Sequence, residues 1–172
     1  MSARPTRSAA VALVILAGFT AGCSGATSDG QAAAGADPSA AAADRARAYM
    51  RAVVTNDWIT ACNLMSAPRR AACHDRHPTP EPPDPSGPAI GPVLLDRAPT
   101  RVPGTSSHPS GWGVITTHTI TWPGKEPRTS YTAVRMTETA GTWWVEQREN
   151  VADSDLTHAT DPAASALGRE VR

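Results

Sequence analysis

The chain has 172 residues, sixteen basic against sixteen acidic side chains, and a charged fraction of 19%. A charge-balanced chain without a basic stripe lacks the electrostatics for gripping nucleic acid through its phosphates. The length suits one domain with loose ends, and 29 Gly plus Pro mark part of it as linker.

Arg4 and Arg7 form a positive start, Ala9 to Phe19 is uninterrupted and apolar, and Thr20-Ala21-Gly22 supplies small residues before Cys23. These are the three parts of a secretory signal over residues 1–22. Eleven apolar residues are too few for a bilayer span, which needs about 20. The Ala-Gly-Cys end resembles the lipobox of bacterial lipoproteins, although Thr20 stands where that family usually has Leu. The resemblance implies cleavage before Cys23, acylation of its sulfur with a palmitate-type lipid, and a membrane anchor on the extracytoplasmic face of the cell envelope. The alternative is ordinary cleavage and free secretion. The mature chain then has 150 residues with 14 basic and 16 acidic side chains, a net charge of −2.

Three cysteines are odd for an exported protein. With Cys23 carrying lipid, Cys62 and Cys73 remain as a pair where disulfides persist, and the expectation is a bridge between them. Two buried free thiols are the other option.

Residues 23–36 are Gly, Ala and Ser with few charges, a flexible tether with a reach on the order of 20 Å. Order is expected from Asp37, which can cap a helix that opens on Pro38. Ala42, Ala46, Tyr49, Met50, Val53 and Val54 recur at three- and four-residue spacing and predict an amphipathic helix. Thr55-Asn56-Asp57 ends it. Asp57 can cap a shorter helix that carries Trp58, Ala61, Cys62 and Met65, and Pro68 opens a third turn that ends near Cys73.

Residues 77–92 hold proline at a density that forbids helix and ladder, so they read as an extended strut. The period then changes. Val93-Leu94-Leu95 predicts a short strand ending at Asp96, and Thr100 to Gly111 reads as a loop. Trp112–Trp122, Thr129–Thr137 and Thr142–Gln147 predict a three-strand antiparallel meander turning at Pro123-Gly124-Lys125 and Ala140-Gly141. The last segment, 151–172, reads as a polar tail with a frayed helix after Asp161-Pro162.

A long helix, an Asn-Asp-Trp break, short helices and a terminal meander resemble the nuclear transport factor 2-like (cystatin-like) superfamily. Tyr49-Met50-Arg51-Ala52-Val53 to Asp57-Trp58 carries the likeness at one end, and Gly141-Thr142-Trp143-Trp144-Val145 at the other. It implies an α+β domain over 37–150, with N-terminal helices packed on a curved antiparallel sheet that forms a cone. Members include isomerases and cyclases that use the cone as an active site, and others that only bind or dimerise, so fold does not settle function.

His118 shares a face with Val114, Ile120 and Trp122, and an imidazole suits general-base work at neutral pH. Tyr131 and Asp96 are its candidate partners; the plainer reading is a satisfied or solvent-facing strand histidine. His74 and His77 flank Asp75 and Arg76 as half a metal site with no second cluster, so no metal and no cofactor are expected. Trp143 and Trp144 must point to opposite faces, because side chains alternate along a strand. Trp122, Trp143 and Trp144, near Arg135 or Arg148, are the candidate binding surface. No Gly-x-Ser-x-Gly elbow, phosphate-cradling loop or His-Glu-x-x-His helix occurs.

The sequence therefore points to a lipid-anchored, non-catalytic binding module for a small molecule or an envelope protein. A cone-pocket isomerase or cyclase is the alternative, and a sheet-mediated homodimer a third reading.

Overall fold

The computed structural model describes residues 37–79 and 86–169. The leader, Cys23, the tether over 23–36, the middle of the proline stretch and the last three residues lie outside the described residues. Among the described residues no helix is long and apolar enough to cross a membrane.

Helix α1, Pro38–Val54, starts where the sequence predicts, because the Asp37 carboxylate accepts from the Ser39 amide at 2.9 Å and Pro38 needs no partner for a missing N–H. Its stripe of Ala42, Ala46, Tyr49 and Met50 is buried. Asn56 ends the first helix in the left-handed region (φ 57), and Asp57 caps α2, Trp58–Asn63, by accepting from the Thr60 amide at 3.1 Å. Helix α3, Ala67–Arg76, follows with Pro68 in its first turn. A Cys62–Cys73 disulfide clamps α2 to α3, with Cα atoms 5.5 Å apart. Closing so short a loop stabilises by about 2–3 kcal/mol through the unfolded chain.

The sheet is antiparallel and strongly curled. Its spine is the meander β4 (Gly111–Thr121), β5 (Arg128–Thr139) and β6 (Thr142–Asn150). Three short strands line up along the outer side of β4: β1 (Ala89–Ile90), β2 (Leu94–Leu95) and β3 (Thr100–Val102). Two of these correct the sequence reading. Ala89 and Ile90 pair with Thr121 and Ile120 inside the expected strut, because the flanking prolines fall on an outer edge where a missing N–H does no harm. Thr100–Val102 pairs with Gly113–Gly111 where a loop was expected. At the other edge, the Val145 amide donates to the Leu64 carbonyl at 3.0 Å and the Ser66 amide to the Val145 carbonyl at 2.9 Å. The α2–α3 link is thereby stitched onto β6.

Both faces of the sheet are covered, so there are two cores. One joins α1 and α2 to Val114, Val134, Met136 and Val145. The other is built from Ile115, Ala133 and Val151 under Ala163, Ala166 and Leu167. That second core corrects the expected polar tail. Residues 153–158 form α4 (Asp153–His158), and Pro162–Leu167 forms α5, which is docked on the sheet instead of fraying. The helix itself starts where Asp161-Pro162 predicts, but with two turns of Ala, Ser and Leu it is too short for the sequence to show a buried face. Gly113 is what lets α5 sit so close, since a Cβ there would lie 2.9 Å from the Ala163 Cβ and 2.6 Å from Val102. Asp155 locks the pair of helices: its carboxylate accepts from the Ala152 amide at 2.8 Å, from the Ser165 hydroxyl at 2.6 Å and from Arg169. Gly35–Arg172 is a compact unit, and both cores lie inside it.

The β5–β6 hairpin turns on Ala140 (φ 51) and Gly141 (φ 74). Two left-handed residues match the twist of a two-residue hairpin, but alanine is strained there and asparagine is not. Ala140→Asn is expected to raise stability by about 0.5–1 kcal/mol, read as an increase in thermal midpoint; a fall would contradict this account of the turn.

Candidate binding cleft

A cleft of about 300 Å³ opens between α2–α3 and the second half of β6. Trp58 and His77 form one wall, their rings stacked with centroids 3.8 Å apart and planes within 7°. The disulfide holds this wall, because Cys73 lies one helical turn before His77 and is bound to the helix that Trp58 begins. Tyr49 of α1 also lines the cleft. Burial pushes its phenol pKa up, opposed by the charge of Arg148.

A second wall is polar. Arg69 donates from Nε to Glu146 Oε1 at 3.1 Å and from Nη2 to the Ser107 carbonyl at 2.8 Å, and the same Nη2 lies 3.1 Å from His108 Nδ1. An arginine has no acceptor, so His108 Nδ1 must accept and its proton sits on Nε2. Burial lowers the His108 pKa and Arg69 lowers it further, while Glu146, 3.7 Å from Nδ1, pulls the other way. Glu146 is where β6 bulges, between the Met136–Val145 and Arg135–Gln147 pairs. An extra residue in a ladder re-aims a side chain, and here it turns Glu146 toward α3.

Arg76 and Arg148 are exposed at the cleft and, among the described residues, have no ion-pair or hydrogen-bond partner. Glu149 also lines the cleft and accepts from Gln147 Nε2 at 3.4 Å. Three arginines and two histidines thus face two glutamates, one of which Arg69 already engages.

Of the residues singled out from sequence, His77 and Arg148 line this cleft, whereas the candidate acid–base set and the candidate tryptophans lie elsewhere. His118 is on the α1 face as expected, 7% exposed, and its buried Nδ1 has no hydrogen-bond partner in the protein. It pairs in register with Ser130, whereas Tyr131 pairs with Thr117 and projects to the other face, against the second core. A one-residue offset in a pleated ladder is enough to separate them. Asp96 pairs with Arg97 at 2.6 Å. These three do not assemble an acid–base site. His74 contacts Asn63 while His77 stacks on Trp58, and no metal-holding cluster occurs among the described residues.

Trp143 packs on the first core, and Trp144 lies beneath the guanidiniums of Arg45 and Arg70, at 5.5 and 5.1 Å. Trp122 is exposed at the end of β4. Arg135 is no surface cation beside a tryptophan; it is buried at 1% exposure. Its guanidinium donates to Gln147 Oε1, to the carbonyls of Pro103 and Pro109, and to that of Leu167. The chain matches no family model, and the comparisons with curated proteins and solved structures found no match.

His108 and His118 share a sign. Both folded pKa values lie below the unfolded 6.5, His118 through burial alone. The stability each contributes is present above pH 6.5 and is lost as pH falls toward the folded pKa. The thermal midpoint is expected to drop between pH 7 and pH 5, and a His108→Gln, His118→Gln double variant to flatten that slope. An identical slope in the variant would contradict the assignment.

Proposed function

We propose that the chain is an extracytoplasmic binding module, held to the membrane by a lipid on Cys23, that takes a small anionic ligand with a planar part in the cleft beside β6. The observation that carries the ligand class is the pair Arg76 and Arg148, two guanidiniums at one cleft without a carboxylate of their own. Guanidiniums suit carboxylate and phosphate by geometry as well as charge. The stacked Trp58–His77 wall supplies an aromatic face for the planar part. Pinning by Glu146, Ser107 and His108 keeps Arg69 from collapsing into the opening. Helices on a strongly curled antiparallel sheet fit a cone similar to that of the nuclear transport factor 2-like superfamily. The cleft differs from such a cone's interior, because the α1 face is filled by the first core and the opening lies at the sheet edge.

Isothermal titration with salicylate, phthalate and inorganic phosphate tests the ligand class, with native mass spectrometry of chain purified from the envelope as a second readout. The aromatic carboxylates are expected to bind, and Arg76→Ser or Arg148→Ser each to weaken them about tenfold. A chain that takes none of the three and retains no molecule contradicts the reading. The anchor is tested by detergent phase partition: Cys23→Ser is expected to move the exported chain from detergent to water, and a wild-type chain already in the water phase overturns the anchor.

A further inference from the structure

The cleft lies along β6, one edge of the sheet; the other edge carries a different surface. Among the described residues the exposed large apolar side chains are Ile59, Ile90, Leu94 and Trp122. Three of these four belong to β1, β2 and the end of β4. Ile90 pairs with Ile120, and Ile120 with Arg128, so the three form one row across the sheet on one face. Trp122 follows the last residue of β4, next to the Thr121–Ala89 pair, and is exposed there. Beside the row, a groove of about 460 Å³ runs between the second half of α1 and β1–β2, lined by Arg47, Arg51, Val54, Ile90, Val93 and Leu94.

Charge accompanies the apolar groups. Arg47, Arg51, Lys125 and Arg128 surround them, against Asp44, which pairs with Arg47, and Glu126 in the hairpin turn. Trp122 is 50% exposed and Ile90 37%, whereas Leu94, 56% exposed, pairs with Thr117 and projects to the other face at the rim of this edge. A polar-rimmed apolar surface of this kind marks a contact site. Tryptophan favours the headgroup level of a bilayer, and arginine lays its stem on apolar surface while keeping its charge at the phosphates.

We propose that this β1–β2 edge, with the Trp122 end of β4, is a docking face for an anionic lipid surface. The chemistry selects a lipid surface over a protein strand, because two-residue strands offer no continuous ladder edge to extend. Thirteen residues separate Cys23 from Asp37, so a lipid on Cys23 would leave the domain near the bilayer. Docking at the sheet edge opposite β6 leaves the cleft open to ligand. The setting rests on the lipid anchor proposed above, but the face itself does not, and the test is run without the lipid so that the two fail separately.

The unit Gly35–Arg172 is sedimented with vesicles of phosphatidylcholine, with and without phosphatidylglycerol. Binding is expected only to the anionic vesicles. Trp122→Ala is expected to weaken it about tenfold, and Arg51→Ser and Arg128→Ser about fivefold each, with thermal midpoints unchanged because these side chains are exposed. Removing the same amount of charge at the cleft, with Arg76→Ser plus Arg148→Ser, is expected to change binding less than about twofold. No binding, equal binding to neutral vesicles, or an equal loss in the cleft variant each overturns the proposal. So does a stable dimer of this unit that Trp122→Ala dissolves, because the face would then belong to a second copy.

Discussion

Arg135 rises from the middle of β5 into the second face of the sheet, and four neighbouring acceptors meet its guanidinium. Pro103 and Pro109 bracket the loop between β3 and β4, Gln147 belongs to β6, and Leu167 ends α5. A buried charge is costly unless its donors are satisfied, and here carbonyl dipoles do that work, with Glu146 as the nearest opposing charge. Burial lowers the Arg135 pKa, yet a guanidinium stays charged at neutral pH. The residue therefore acts as a fork that fixes three chain segments against the sheet. Replacing it leaves the buried Leu167 carbonyl without its donor, at about 1–3 kcal/mol, and releases the part-buried carbonyls of Pro103 and Pro109.

The cleft inherits its shape from that fork. The loop that brings Ser107 and His108 to Arg69 is held at both ends by Arg135. Arg69 in turn lies on α3, whose start is stitched to β6 through Ser66 and whose end is bridged to α2. The polar wall is thus assembled from a loop, a helix and a bulged strand that are far apart in the chain. Rigid surroundings of this kind let two unpaired arginines stand at the opening without folding onto the nearest carboxylate.

Much of the frame was legible in the residues. The Asp37-Pro38 start, the Asp57 cap, the alternation through β4 and the two turns of the meander all rest on local chemistry, and the structure agrees with each. The Cys62–Cys73 bridge followed from counting cysteines and is present. The misses share one cause. Strands of two or three residues such as β1 and β3 carry too few positions for a period, and their pairing, like the docking of the two-turn α5, is decided only by the sheet. The cleft was hidden for the same reason. His108 sits in a Ser-Pro loop with no motif around it, Glu146 is re-aimed by a bulge, and Arg135 reads as one surface charge among sixteen basic residues. His118, which does stand out in the alternation, is buried against the first core's face away from Tyr131.

Hydrogen exchange on the Arg135→Gln variant tests the central claim most directly. The account predicts lost amide protection in residues 103–110 and in α5, while β4, β5 and β6 keep theirs. Protection unchanged in both segments would contradict it, since the loop and the helix would then be held by something other than the buried guanidinium.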